Sequence, residues 1–186
     1  MPNDIAINTE FTPNPNSLKF NVSVPLCEHG PVQFASAAES QKSPLAAKLF
    51  EIDGIKEVMI GPNFVTVTRR DDISSWSPLM LPISGTIREY LCCGKTAPKV
   101  CQSCADTAAP HSEVEKKILD ILNEHIRPAL ANDGGDVRFC GYENGIVKLH
   151  LKGACSGCPS AMITLKMGIE TCLKEYIPEI KEVVRV

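Results

Sequence analysis

Two cysteines in the last fifth of the chain have the spacing of a metal-binding or redox-active pair. Cys155 and Cys158 lie in a segment of small residues that reads Gly-Ala-Cys-Ser-Gly-Cys-Pro-Ser. Such residues let the backbone curl closely enough for both sulfurs to face one ion. A helical pattern follows directly, and Pro159 suits its first turn because the missing N–H would be unpaired there. The positive end of this helix favours the thiolate, which is the form that binds soft metals.

Two sulfurs supply only half of a metal site. A structural zinc ion takes four ligands, and an iron–sulfur cluster is held by four cysteines. We therefore interpret Cys155 and Cys158 as ligands of a metal or metal cofactor, with two further ligands supplied from elsewhere. A thioredoxin-like redox pair is an alternative, because such pairs also open a helix. That alternative requires a strand–helix–strand unit, whereas a hairpin is predicted before this motif. Buried structural thiols are a third interpretation.

The composition is that of an ordinary globular protein with reduced thiols. The 186 residues carry a formal net charge of −3 and are 44% hydrophobic, which predicts one large or two small domains. Near-balanced charge argues against nucleic acid or an anionic membrane as the main partner, and no apolar run reaches the roughly 20 residues of a membrane span. An odd count of nine cysteines and no recognisable targeting segment lead us to expect reduced thiols in a bacterial-type, cytoplasmic chain.

Residues 1–91 predict a first α+β domain, a mixed β-sheet with two helices. Strands are expected near residues 5–9, 18–22, 32–34, 58–60 and 64–68. One helix is expected to start at Ser43-Pro44 and to end at Asp53-Gly54, and a second to run from residues 74–77 to residue 91. Trp76 is interpreted as a core residue. No paired carboxylates, phosphate-binding loop or nucleophile–base arrangement indicates chemistry in this half.

Residues 92–111 are predicted to be a flexible linker, because they are rich in Ala, Pro, Thr and Ser and have no periodic apolar face. The linker contains four cysteines, Cys92, Cys93, Cys101 and Cys104. The last two repeat the spacing of the Cys155 pair. We interpret them as solvated thiols. The alternative is that Cys101 and Cys104 complete a four-sulfur site with Cys155 and Cys158 inside one chain.

Residues 112–186 predict an α-β-β-α-β domain with a three-stranded sheet. A capping box opens its first helix at Ser112, and Pro128 is expected to bend or end that helix. Asn144-Gly145 predicts a tight hairpin between the first two strands. Pro178 is expected to stop the second helix before a last strand at residues 180–186.

Other potential ligands in the chain have plainer interpretations. His125 and His150 lie on amphipathic elements, where packing or exposure accounts for them. Cys140 and Cys172 are expected on apolar faces, where a free thiol behaves as a small hydrophobe. Cys27 shares a loop with His29 at a spacing that could hold a metal, but both are interpreted as loop residues.

Two sets of motifs resemble the Nfu, or NifU-like, iron–sulfur scaffold proteins. The C-terminal set comprises Ile126-Arg127-Pro128, Asp133-Gly134-Gly135-Asp136, the segment from Gly153 to Ser160, and Thr164-Leu165-Lys166. The N-terminal set comprises the segment from Thr12 to Phe20 and the segment from Phe64 to Thr68. Both sets stand in the order of that family and cover most of the chain outside the linker, whose cysteines are not part of the family pattern.

The resemblance implies a non-enzymatic scaffold that carries an iron–sulfur cluster and passes it to apo-proteins. It implies that Cys155 and Cys158 are the cluster ligands and that a second copy of the chain supplies the other pair. The expected assembly is a homodimer bridged by the cluster, with a 4Fe–4S cluster favoured over 2Fe–2S. Apo iron–sulfur recipients and upstream cluster-assembly proteins are the expected partners. A structural zinc module that uses the same cysteines is an alternative.

Overall fold

Two α+β domains, each with its own sheet and hydrophobic core, make up the computed structural model of the protein. The structure describes residues 5–27, 30–92, 112–156 and 159–186, with the side chains of residues 156–165 outside the description. The predicted fold class is confirmed. The exact limits of the predicted linker remain a prediction, because most of residues 92–111 lie outside the described part.

The N-terminal domain is a five-stranded sheet with helices on one face. Its strands are β1 (Ile7–Phe11), β2 (Ser17–Val22), β3 (Val32–Phe34), β4 (Ile55–Ile60) and β5 (Phe64–Arg69), and its helices are α1 (Ala37–Ser40), α2 (Pro44–Phe50) and α3 (Ser77–Cys92). The strands are ordered β1-β2-β5-β4-β3. Every neighbouring pair is antiparallel, so the expected mixed sheet is wrong for this domain. The short α1 was also not predicted.

The two faces of this sheet differ in character, as strand alternation requires. Leu18, Phe20, Val65 and Val67 point to the helices and are buried in the N-terminal core. The face away from the helices, called the open face below, carries one row of residues in register across all five strands. That row runs Glu10, Lys19, Thr66, Met59 and Gln33. It is largely polar, so the helices of its own domain leave it uncovered.

The C-terminal domain has the predicted α-β-β-α-β order. It consists of α4 (Glu113–Ile121), a π-helical turn (Leu122–Ile126), α5 (Arg127–Asn132), β6 (Gly135–Glu143), β7 (Ile146–Gly153), a 3₁₀ turn (Ala154–Ser156), α6 (Pro159–Tyr176) and β8 (Glu182–Arg185). The strands are ordered β6-β7-β8. β6 and β7 are antiparallel, whereas β7 and β8 are parallel. This sheet, rather than the N-terminal one, is therefore mixed.

Two local predictions for this domain are confirmed, the capping box at the start of its first helix and the tight turn of its hairpin. The Glu115 amide donates to Ser112 Oγ at 3.2 Å, and the Ser112 amide donates to the Glu115 carboxylate at 3.1 Å. These two bonds form the predicted capping box. Asn144 and Gly145 have φ of 52° and 88°, the positive values that a type I′ hairpin turn needs at both central positions.

Pro128 bends the first helical segment rather than ending it. The chain stays helical to Asn132, but a π-helical turn at Leu122–Ile126 precedes α5, in which the proline lies in the first turn. A proline removes the N–H of a regular helical hydrogen bond and its ring crowds the preceding turn. A wider turn just before the proline accommodates both effects.

Cys140 was expected on an apolar face, and the structure contradicts this. Val137 and Phe139 face the core, so strand alternation turns Cys140 outward, and it is exposed. Cys172 is half-buried and packs against the C-terminal core, as expected. Among the helices of the described ranges, none is at once long enough and apolar enough to cross a membrane.

Candidate metal centre

Cys155 lies where the central strand of the C-terminal sheet turns toward a long helix. β7 ends at Gly153, whose φ of +66° is a left-handed conformation that glycine adopts without steric cost. Cys155 follows in the 3₁₀ turn and is buried, in contact with the C-terminal core. α6 starts at Pro159, as predicted. Cys158 is outside the described residues, so the convergence of the two sulfurs stays a prediction.

The glycine that starts β6, Gly135, makes room for Cys155. Gly135 pairs with Gly153 across the hairpin, and the Ala154 amide donates to the Gly134 carbonyl at 3.1 Å. A Cβ on Gly135 would lie 2.2 Å from Cys155 Sγ, which is far inside van der Waals contact. The Asp-Gly-Gly-Asp segment was predicted only as a turn. It also forms the floor under the cysteine, and sequence spacing alone gives no signal for this role.

The electrostatic surroundings of Cys155 oppose the thiolate in this arrangement. Burial raises the pKa of the Cys155 thiol to about 12, and the carboxylates of Asp133 and Asp136 add to the rise. The thiol is therefore protonated at neutral pH, contrary to the expectation from the helix dipole. Loss of water around a buried sulfur disfavours its charged form. A metal-binding state needs a different environment for this sulfur.

Asp136 is itself a buried carboxylate beside the cysteine loop. Burial raises its pKa, while the Arg127 guanidinium acts in the opposite direction. Arg127 Nε lies 3.5 Å from Asp136 Oδ1, and Nε and Nη2 both donate to the Val137 carbonyl at 3.3 Å. Arg127 therefore joins α5 to the first residues of β6.

We predict that Arg127→Ala lowers the free energy of unfolding by about 1–3 kcal/mol, because it removes the cation beside the buried Asp136 carboxylate and the guanidinium donors to the Val137 carbonyl. Lys148→Ala is the matched control, since Lys148 pairs with Glu143 at the surface and such pairs contribute little. Urea unfolding of both variants, followed by circular dichroism, measures the difference. Equal stability of the two variants would contradict the structural role of Arg127.

The expectation that the cysteine motif lies outside a strand–helix–strand unit is wrong, because β7, α6 and β8 form one, with the two strands parallel. The topology therefore does not separate a metal ligand from a thioredoxin-like pair. Burial and the raised pKa of Cys155 are the features that disfavour a reactive thiol in this arrangement, because the thiolate is the nucleophile.

The other potential ligands among the described residues have ordinary contacts. His150 Nδ1 lies 2.8 Å from the Val186 carbonyl oxygen, and the His125 ring stacks on Tyr176 at 5.3 Å. Cys27 Sγ donates to the Gly30 carbonyl at 3.2 Å. Within the described ranges no three His, Cys, Asp or Glu residues are grouped so as to hold a metal ion. His29 and the cysteines at 93, 101 and 104 lie outside those ranges.

The cysteine loop packs against the N-terminal domain, a contact that the sequence did not predict. Gln33 Oε1 accepts from the Gly153 amide at 3.3 Å, and Asn14 Nδ2 donates to the Ala154 carbonyl at 3.1 Å. Lys19 Nζ donates to the Asn132 carbonyl at 3.2 Å, at the end of α5. The open face of the N-terminal sheet therefore covers the loop that carries Cys155.

Comparisons with known proteins assign both domains. A family model described as "Scaffold protein Nfu/NifU N terminal" matches residues 7–94, and one described as "NifU-like domain" matches residues 118–184. The human "NFU1 iron-sulfur cluster scaffold homolog, mitochondrial" is 42% identical over 97% of this chain. "NifU-like protein 4, mitochondrial" of Arabidopsis thaliana is 43% identical over 95% of it. These matches identify a two-domain Nfu-type protein. The chain belongs to the Nfu/NifU-like family.

This chain spans part of those relatives. It covers 71% of the human protein and 64% of the Arabidopsis protein. A solution structure of a NifU-like protein from Saccharomyces cerevisiae is 25% identical, with a TM-score of 0.47, and the match covers 51% of this chain and 86% of that one.

Proposed function

We propose that this protein is a scaffold that holds an iron–sulfur cluster as cargo through Cys155 and Cys158 and passes it to apo-proteins. The observation that carries the proposal is the Cys-x-x-C loop between β7 and α6, in a chain that is 42% identical to a relative whose name gives it an iron–sulfur scaffold role. The proposed role is non-enzymatic. A 4Fe–4S cluster is proposed over 2Fe–2S, as the sequence analysis predicted.

Release of the cargo follows from the number of ligands. Two thiolates per chain leave half of the coordination to another molecule, since a cluster takes four cysteines. Thiolates of a recipient can then replace one pair at a time, without a state in which the cluster is bare. Apo iron–sulfur proteins and upstream assembly proteins are the partners that this chemistry requires. A cytoplasmic location remains our proposal for this chain, although the names of the relatives place those proteins in mitochondria.

The proposal is tested by anaerobic reconstitution of the purified protein with iron and sulfide. We expect iron and acid-labile sulfide in equal amounts, four of each per dimer, as one 4Fe–4S cluster per two chains requires, and transfer of the cluster to an apo-ferredoxin. Metal analysis of protein purified without oxygen is the companion measurement. Zinc without acid-labile sulfide would favour the structural zinc module. Disulfide exchange catalysed by the metal-free protein would favour the redox pair.

A further inference from the structure

One cross-strand row of the N-terminal sheet forms much of the contact between the two domains, together with Asn14 in the turn between β1 and β2. Four of its five members meet the C-terminal domain. The Lys19 and Gln33 hydrogen bonds are described above. The other two members meet glycines, because a Cβ added to Gly134 would lie 2.9 Å from Thr66 Oγ1, and one added to Gly153 would lie 2.6 Å from Met59 Cε. Both backbones therefore approach the open face so closely that an added Cβ would require Thr66 or Met59 to shift.

This face is buried by the other domain and not by its own. Met59 is 1% exposed, yet its side chain lies against Gly153 and packs with neither hydrophobic core of the described residues. Lys19 is 7% exposed and is neutralised from one side by Glu10 at 3.4 Å. Thr66 is 1% exposed, and its hydroxyl has no hydrogen-bond partner in the described part of the chain. A buried hydroxyl without a hydrogen-bond partner destabilises the closed arrangement. If the domains separated, water could hydrogen-bond to the Thr66 hydroxyl.

We propose that the open face of the N-terminal sheet is a docking surface for the cysteine loop of the same chain, and that this closed state competes with a second chain for the loop. The second part rests on the proposed function. A cluster bridged between two chains requires both loops to face each other, and the loop cannot do so while residues 153 and 154 are hydrogen-bonded to Gln33 and Asn14. The N-terminal domain thus covers the loop in the metal-free chain and releases it when a cluster is held.

The balance between the two states follows from tethering. Both partners of the closed state belong to one chain, and two sites tethered in one chain can have an effective concentration on the order of millimolar for each other. A second chain at micromolar concentration does not compete with that unless cluster ligation adds free energy. The largely polar contact is typical of interdomain interfaces that separate and re-form. Closure therefore holds the metal-free protein as a monomer without preventing assembly.

Thiol alkylation of the metal-free protein tests the closed state without any cluster. In a Cys158→Ser background, Cys155 is the one cysteine between Lys152 and Lys166, so mass spectrometry of that tryptic peptide reports on it alone. The measured quantity is the ratio of its N-ethylmaleimide alkylation rates in urea and in native buffer. We expect strong protection in the parent protein. Met59→Glu, which places a carboxylate against Gly153, is expected to reduce the protection about tenfold or more, because an opened population reacts.

The control is Leu81→Glu, which adds the same carboxylate at an exposed apolar position of α3, where Leu81 is 81% exposed. It should leave the protection unchanged. Gln33→Ala is a milder second variant in case Met59→Glu does not fold, and it should reduce the protection several-fold. Circular dichroism establishes the fold of each variant. Parent-level protection in folded Met59→Glu and Gln33→Ala proteins would overturn the proposal, because Cys155 would then be buried by its own domain alone.

The competition with a second chain is measured separately, on protein that retains both cysteines. Met59→Glu is expected to take up iron and sulfide faster than the parent, and Leu81→Glu at the parent rate. Equal rates in all three proteins, together with lost protection in Met59→Glu, would confirm docking but overturn the competition. Failure of every protein to take up a cluster would instead contradict the proposed function, and the alkylation result would stand on its own.

Discussion

Replacing either Cys155 or Cys158 with serine is expected to abolish both cluster binding and dimer formation. Each chain of the proposed dimer supplies two thiolates, and a 4Fe–4S cluster takes four cysteine ligands. Loss of one cysteine per chain removes two of the four, and a serine hydroxyl is a poor replacement for a soft thiolate ligand. The native protein should be a monomer without metal and a dimer with one cluster per two chains after reconstitution. Size-exclusion chromatography with iron and sulfide analysis measures both quantities.

Two sets of control variants make this expectation specific. Cys140→Ser removes an exposed thiol of the same domain and should leave cluster and dimer intact. Replacing Cys101 and Cys104 together should also leave both intact, if the linker thiols are solvated as the sequence analysis predicts. A cluster-loaded monomer that loses its cluster in the Cys101 and Cys104 double variant would contradict the dimer and would make the linker part of the site.

A symmetric pair is the expected geometry, because two identical loops that share one cluster are related by a two-fold axis. In such a pair each loop faces its own copy instead of the N-terminal sheet. If the proposed docking is correct, the buried and protonated Cys155 of the single chain belongs to the closed form. The thiolate expected from the sequence would then belong to a state in which the loop has left the open face.

The features that the sequence predicted depend on a few neighbouring residues. The Ser112 capping box and the Asn144-Gly145 turn are local, since each is fixed by hydrogen bonds or dihedral angles within four residues. Both are present as predicted. The sequence did not determine whether the helix bends or ends at Pro128, because a proline only disfavours a regular helix at that point. In the structure the chain continues through a π-helical turn into α5.

Features that depend on two distant parts of the chain were missed. Alternation in β2 and β5 predicts that Lys19 and Thr66 point away from the N-terminal core, but it does not say what covers them. Gly135 was seen as part of a turn, because the register that places it beside Cys155 is set by the pairing of β6 with β7. The expectation of a mixed N-terminal sheet was wrong for the same reason. Antiparallel pairing follows from the order of all five strands, and no single strand indicates it.

The closed state also gives the N-terminal domain a role that its composition does not suggest. No group of described residues in that domain could hold a metal ion, yet Gln33 and Asn14 bind the backbone of Gly153 and Ala154, next to Cys155. A side-chain amide can donate or accept and is easily resolvated. The two side-chain amides bind the backbones of two neighbouring loop residues, Gly153 and Ala154. Such a contact fixes which residues meet, but it can form and break readily.

Gly135→Ala is expected to destabilise the protein and to displace Cys155 from its position. The added methyl group would lie 2.2 Å from Cys155 Sγ, 3.0 Å from its Cβ and 3.1 Å from the Lys152 carbonyl oxygen. Overpacking of this kind typically costs about 1–3 kcal/mol in the free energy of unfolding. Because the collision is with the ligand itself, cluster loading after reconstitution should fall together with stability. Chemical unfolding and sulfide analysis of the same preparation measure both effects.

Gly168→Ala is the matched control, because it makes the same change in α6 of the same domain, where no described atom outside the neighbouring turns of the helix backbone lies within 4 Å of the added Cβ. Alanine replaces glycine there within a helix, so this variant should be more stable than the parent by about 0.5–1 kcal/mol. Adding Cys155→Ala to Gly135→Ala removes the sulfur from the collision and should recover part of the lost stability, as coupling in a double-mutant cycle. Additive effects of Gly135→Ala and Cys155→Ala on the free energy of unfolding would contradict the contact between Gly135 and Cys155. Equal stability of the Gly135→Ala and Gly168→Ala variants would contradict it as well.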